Sequence, residues 1–180
     1  MDSTAEEFVE TETGCNFCDL ARKMKPVGEL PTIPKGEKYD VLLGMSGGVD
    51  SSTALVKVIE LGLRPLCYSI DNGWQTDEAQ ENIMRLVEGL KVPFFRYTID
   101  LKKFAGLQTA FLRAGLINAE IPSDHILLAS SYELAAKYGI KTIISGGNWA
   151  TESIMPLSWS YPARDLTHIK DVYKKMTGKK

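Results

Sequence analysis

The sequence predicts an α/β fold, a doubly wound parallel sheet with helices on both faces, and three observations carry that expectation. Short apolar runs alternate with helix-length amphipathic segments from residue 40 onward, the pattern of a parallel sheet with crossover helices. The helical segments are bounded by capping residues and by glycines. Finally, the polar clusters at 45–52, 71–75 and 145–152 all fall where strands are expected to end. In sheets of this class ligands bind in the crevice beyond the carboxyl ends of the strands, so the clusters converge on one site.

Each element has a local reason. Residues 40–44 hold Val41, Leu42 and Leu43, a buried strand that breaks into Ser46-Gly47-Gly48. A helix over 51–61 is stopped by Gly62 at the position after its C-cap. Residues 64–70 form a second strand that ends in Asp71-Asn72-Gly73, a turn signal. The next helix, 76–90, has Thr76 as cap, Asp77 and Glu78 in its first turn, and Ile83, Leu86, Val87 and Leu90 on one face. Residues 93–99 form a third strand, with Pro93 tolerable at its start. Asp100 caps a helix over 101–114 that ends at Gly115. Ser123 or Asp124, just after Pro122, opens another that runs to Tyr138 and stops at Gly139. Residues 140–145 are the fourth strand, followed by Gly146, Gly147 and Asn148. Residues 1–36 differ: they are polar up to Cys15, then punctuated by Pro26, Pro31 and Pro34, with no sustained period. They read as an extension or linker entering the domain of residues 37–180.

Composition narrows the setting. A chain of 180 residues, 44% hydrophobic, buries one sizeable core. A net charge of −2 gives no basic field to draw in nucleic acid. No apolar run approaches the ~20 residues that span a bilayer. The acidic start (Glu6, Glu7, Glu10, Glu12) is unlike a signal peptide, and three cysteines do not suggest a disulfide scaffold. A cytoplasmic protein without nucleic-acid or membrane partners is expected.

The most informative stretch is residues 41–52, a strand, a tight glycine turn and a helix N-terminus in sequence. Free N–H groups of such a turn, with the positive end of the helix dipole, form an anion site suited to phosphate. Gly47 and Gly48 let the backbone approach an anion, and Ser46, Ser51 and Ser52 add hydroxyl donors. No Lys of the GxxxxGK[ST] kind is present. A carboxylate beside phosphates repels them unless a cation intervenes or backbone groups hold it. Asp50 is therefore either a magnesium contact, direct or through water, or a brace of the loop.

The string Ser-Gly-Gly-Val-Asp-Ser-Ser, residues 46–52, resembles the pyrophosphate loop (PP-loop) of the ATP pyrophosphatase superfamily, adenine nucleotide alpha hydrolase-like enzymes that cleave ATP between its α- and β-phosphates. Three further strings, Ile70-Asp71-Asn72-Gly73-Trp74, Ile121-Pro122-Ser123-Asp124-His125 and residues 145–153 (SGGNWATES), resemble the N-acetyl sugar amidotransferases of bacterial surface-polysaccharide (lipopolysaccharide) biosynthesis. The resemblance runs from about residue 8 to 175. It implies that ATP adenylates the acetamido oxygen of an N-acetyl sugar or nucleotide sugar, and that ammonia displaces AMP to give an acetamidine. It also implies ATP and Mg2+ as cofactors, and separate glutaminase- and cyclase-like subunits that supply ammonia.

On that resemblance Ser46, Gly47, Gly48, Val49, Asp50, Ser51 and Ser52 cradle the pyrophosphate. Ile70 and Asp71 hold adenosine largely through backbone groups, and Gly146 and Gly147 line the opposite wall. Asn72, Trp74 and Asn148 are substrate candidates, and Asp124, His125 and Glu152 join Asp50 as candidates for orientation or proton transfer. Plainer readings stand beside these. Asp124 serves equally as a helix cap and His125 as a structural histidine. Trp74, Trp149 and Trp159 read as core or wall packing rather than as stacking platforms. Other AMP-forming PP-loop enzymes, such as those of tRNA thiolation, and a non-catalytic nucleotide-binding module are the competing functions.

Cys15-Asn16-Phe17-Cys18 is half of a zinc site, and structural zinc wants four ligands. In the resembling family a second CxxC commonly precedes this one, and residues 1–14 hold no cysteine. Cys15 and Cys18 thus read as a zinc-ribbon remnant in which Zn2+ is not expected. Family members also run on past His168, Ile169 and Lys170, so the resemblance implies a C-terminally incomplete fold.

Overall fold

Val41, Leu42 and Leu43 have no exposed surface, the signature of a strand covered on both faces. The computed structural model describes residues 2–24, 28, 30–147, 152, 154–159 and 161–179. Their elements are β1 (Glu10–Thr11), β2 (Gly14–Cys15), α1 (Asn16–Lys23), β3 (Val41–Gly44), α2 (Val49–Glu60), β4 (Pro65–Asp71) and α3 (Asp77–Gly89). After them come β5 (Phe94–Thr98), α4 (Leu101–Ala114), α5 (Ile121–Tyr138), β6 (Thr142–Ile144), a 3-10 turn (Leu157–Trp159) and α6 (Leu166–Thr177).

The chain divides into two compact units. One holds Thr32–Leu107 and Ser123–Gly146, the other Met1–Pro31, Gln108–Pro122 and Gly147–Lys180. The first contains a four-stranded parallel sheet in the order β5-β4-β3-β6. Leu42, Leu66, Tyr68 and Ile70 face Leu134 and Ala135 of α5 on one side of that sheet. Leu43 and Cys67 face Leu55 of α2 and Ile83 and Val87 of α3 on the other. This is the doubly wound α/β fold expected, with helices on both faces. The order has a functional consequence. The chain steps outward from β3 to β4 and β5, then returns to the other side of β3 with β6, which puts the topological switch point between β3 and β6.

The other unit holds the β1–β2 hairpin, α1 and α6. The sequence reading of residues 1–36 as an extension with no sustained period placed no element there, and that is corrected here. Ala5, Cys15 and Phe17 form a small buried cluster against Phe8 and Trp159, and so order a hairpin and a helix. A second correction concerns α5, which starts at Ile121 rather than at Ser123 or Asp124. A proline in the first turn lacks only an N–H that has no intrahelical partner there, so Pro122 lies inside the helix and Asp124 is a first-turn acid rather than a cap.

Asp40 ties the β3–β4 pair together at the end opposite the site. Its side chain is fully buried and accepts from the Arg64 guanidinium (2.9 and 3.2 Å), the Arg64 amide (2.9 Å) and the Gly36 amide (2.9 Å). Hydrogen bonds from the Arg64 side chain hold the carboxyl well below the usual carboxylate range. A lowered native pKa stabilises the fold above the unfolded value, about 3.9, and that contribution is lost as pH falls below it. Asp40→Asn should therefore lower Tm at pH 7 by roughly 10 °C and flatten the fall of Tm between pH 5 and 2, read by circular dichroism melts. A variant that melts like the wild type across that range would contradict this role.

Candidate functional site

The turn after β3 is built from its own side chains. The Ser51 hydroxyl, only 5% exposed as a residue, accepts from the Ser46 amide (3.2 Å), shares a hydrogen bond with the Ser46 hydroxyl (3.1 Å) and donates to the Gly48 carbonyl (3.3 Å). Ser46 Oγ in turn accepts from the Gly48 amide (3.3 Å), and Ser52 Oγ donates to the Gly48 carbonyl (2.8 Å). Ser46 and Ser51 thus brace the loop with the hydroxyls that the sequence reading offered to phosphate. Gly48 is the N-cap of α2 and supplies no side-chain acceptor. The first N–H groups of α2, from Val49 onward, have no intrahelical acceptor and stay available to an anion at the positive end of the helix dipole.

Gly47 is held from outside the loop. It sits at φ +82, and a Cβ there would collide with the Ala79 carbonyl and lie 2.8 Å from the Ala79 Cα. Asn82 Nδ2, one turn on, donates to the Gly47 carbonyl (3.4 Å). The first half of α3 is thereby packed directly on the loop. Between them lies an open cleft of about 440 Å3 lined by Gly47, Gly48, Val49, Ser52, Asn82, Arg85 and Leu86. Asn82 and Arg85 are the site residues that the sequence reading missed, and the spacing Ala79, Asn82, Leu86 is the only signal that could have found that face.

Gly146, just past β6, closes the other side. A Cβ on Gly146 would lie 3.2 Å from the Ser51 amide and 3.5 Å from Asp50 Cβ, so the switch-point wall touches the first turn of α2. Asp50 is exposed, and no hydrogen bond or ion pair engages its carboxylate among the described residues. Among the described residues the carboxylate therefore does not act as a brace of the loop.

The remaining candidates occupy separate places. Ile70 is buried in the core, so it offers the crevice its backbone only. Asp71 and Asn72 shape the turn after β4, accepting from the amides of Gly73 (3.3 Å) and Trp74 (3.1 Å). Trp74 is 63% exposed, which corrects the reading of it as packing. Asp124 and His125 lie in the first turn of α5; the chain runs back along this helix to the amino end of β6, so its start lies at the carboxyl end of the sheet. Gly147 and Glu152 belong to the other unit, where Glu152 is exposed. Asn148 and Trp149 lie outside the described residues.

In that unit Cys15 caps α1, accepting from the Cys18 amide (3.5 Å), and this hydrogen bond lowers the thiol pKa. The two sulfurs are 3.4 Å apart. Among the described residues no group of three or more His, Cys, Asp or Glu could hold a metal ion. Cys67, buried in β4, has its thiol pushed up to about 12 by desolvation, so it is not a nucleophile near neutral pH. No helix among the described residues is long and apolar enough to cross a membrane.

No family model matches the chain. In sequence it is 27% identical over 165 residues to 7-cyano-7-deazaguanine synthase of Saccharolobus solfataricus, an alignment covering 83% of this chain and 34% of that protein. It is 29% identical over 116 residues to an uncharacterized protein of Methanocaldococcus jannaschii, covering 62% of this chain and 39% of the relative. The chain thus spans little more than a third of the length of these curated relatives. Among solved structures it is similar to NMN synthetase from Francisella tularensis, with a TM-score of 0.48 and 13% identity over 79% of this chain and 78% of that one. An NH3-dependent NAD synthetase from Campylobacter jejuni gives a TM-score of 0.46 and 17% identity over 70% and 52%. Loop, strand order and sequence relative together support the PP-loop ATP pyrophosphatase superfamily of ATP-using enzymes.

Proposed function

We propose that this chain carries the ATP-activating part of an AMP-forming amidotransferase that converts the acetamido group of an N-acetyl sugar, borne on a nucleotide, to an acetamidine for surface-polysaccharide synthesis. One observation carries the reading. The SGGVDSS loop sits between β3 and the N-terminus of α2 with Gly146 against it, a preformed anion cradle at the switch point of the sheet. The resemblance of the Ile70–Trp74, Ile121–His125 and 145–153 strings supports the sugar as substrate.

The chemistry answers a definite difficulty. An amide carbonyl is a poor electrophile, and its oxygen does not leave unaided. The amide oxygen attacks the α-phosphorus, the bond to the bridging oxygen of the β-phosphate breaks, and pyrophosphate departs. Ammonia then adds to the activated carbon and AMP leaves with the former amide oxygen. The free loop amides at the start of α2 stabilise charge on the departing pyrophosphate. Mg2+, held by Asp50, would supply counter-charge to the polyphosphate. Ile70 and Asp71 backbone groups hold adenosine, while Asp124 and His125 orient the sugar or carry a proton.

Ammonia comes from a separate subunit in this reading. A glutaminase needs an activated, accessible thiol in a nucleophile turn with a histidine as base, whereas Cys67 is buried and held protonated, and Cys15 and Cys18 lie in the hairpin and α1. Purified full-length protein with ATP, Mg2+ and a panel of UDP-N-acetyl sugars should release pyrophosphate with ammonium chloride and stay silent with glutamine. No pyrophosphate release with any sugar and ammonium would overturn the function. Glutamate formed by this protein alone would overturn the separate ammonia source. The deazaguanine synthase relative favours a second reading, the same ATP chemistry on a 7-deazaguanine ring. Release driven by such a ring in place of the sugars would select it.

A further inference from the structure

We propose that Arg85 is a specificity residue that binds the pyrophosphate end of ATP, so that the cleft distinguishes ATP and pyrophosphate from AMP. The inference rests on the loop being an ATP site and adds a recognition role to a residue outside the SGGVDSS motif.

The cleft between the loop and α3 has one cationic lining residue, and that residue is Arg85. The other residues that line it are Gly47, Gly48, Val49, Ser52, Asn82 and Leu86, none of them charged. The loop lacks a lysine, and Lys57, farther along α2, does not line the cleft. ATP carries about four negative charges, and amide dipoles with one Mg2+ at Asp50 offset only part of that charge. A guanidinium supplies paired N–H donors in the geometry that suits phosphate oxygens.

The turn of α3 that bears Arg85 is placed by packing, although the Arg85 side chain is itself exposed. Ala79 abuts Gly47 and Asn82 holds its carbonyl, so the turn of α3 that bears Arg85 is registered against the loop. Arg85 has an ion pair with Glu81 at 3.0 Å, both side chains largely exposed. An exposed helical pair of this kind is weak and readily exchanged for a phosphate, which offers more charge and a second oxygen. Arg85 also lies on the α3 side of the loop, whereas Asp50 lies toward Gly146. The two therefore address the polyphosphate from opposite sides: Asp50 through a cation, Arg85 directly.

The test compares binding of ATP, inorganic pyrophosphate and AMP to full-length wild type, Arg85→Ala and Arg85→Lys by titration calorimetry, with Tm as a check of folding. Alanine is a strong helix former at an exposed position, so the variants should melt like the wild type. Arg85→Ala should weaken ATP and pyrophosphate about tenfold or more and leave AMP within about twofold, with Arg85→Lys in between. Wild-type affinity for pyrophosphate in Arg85→Ala, or an equal loss for AMP, would overturn the assignment. A wild type that binds neither ATP nor pyrophosphate would instead overturn the reading of the loop itself.

Discussion

Gly47→Ala should abolish ATP binding, with affinity falling at least about a hundredfold, because the substitution separates the loop from the helix that supports it. Two costs add at this position. A residue with a Cβ at φ +82 is strained by about 1 kcal/mol or more relative to glycine. In addition, the Cβ would overlap the Ala79 backbone, which cannot rotate away as a side chain would. Either the loop or the start of α3 must move, and both carry the cleft. Gly62→Ala separates the two costs, since Gly62 has φ +68 but open space around its Cβ position. Both variants should lose several degrees of Tm, about 2–4 °C per kcal/mol for a chain of this size. Only Gly47→Ala should lose nucleotide. Equal ATP affinity in the two variants, measured by calorimetry, would show that the packing against α3 is not needed.

The second large effect is expected from Ser46→Ala combined with Asp50→Asn. Ser46 Oγ links the Gly48 amide to Ser51 Oγ, so its removal loosens the brace of the loop. Among the described residues Asp50 makes no such bond, so its replacement should remove charge without disturbing the fold. Pyrophosphate release should disappear, and ATP affinity should fall by about 1.5–3 kcal/mol for the charge-assisted interaction lost at Asp50, with a further loss from the loosened loop. The single variants separate the causes. Asp50→Asn should need more Mg2+ to bind ATP, while Ser46→Ala should leave the Mg2+ dependence unchanged and lower Tm slightly. A folded double variant with normal release would remove the loop from the mechanism.

Much of the sheet unit was legible because its signals are local. The apolar run Val41–Leu43 and the capping residues Thr76 and Asp100 fixed elements within one or two residues of their observed bounds, and α4 matched at both ends. The motif itself was legible because a strand, two glycines and a helix start suffice to form an anion site. What the sequence could not show depends on packing between distant segments. Ser51 reads as a phosphate donor until the fold turns its hydroxyl inward. Arg85 reads as one more charge on a solvated helix face until Ala79 and Asn82 dock that face on Gly47. The hairpin and α1 were missed because they are ordered by Phe8, Phe17 and Trp159, and Trp159 stands more than a hundred residues away from the hairpin. The last helix, α6, went unread although Asp165 caps it and Ile169 and Val172 mark its buried side.

The strand order also governs when the cradle comes into being during folding. β3 and β4 pair across a short helical connection, but the β3–β6 pairing joins Val41 to Thr142, about a hundred residues along the chain. Closing so long a loop is entropically costly and slow relative to local helix and hairpin formation. A chain that has assembled only β3, β4 and β5 therefore has its glycine turn but no Gly146 against the start of α2. Nascent or partly folded molecules should be blind to nucleotide, and the last strand to dock completes the sheet and the cradle in a single step.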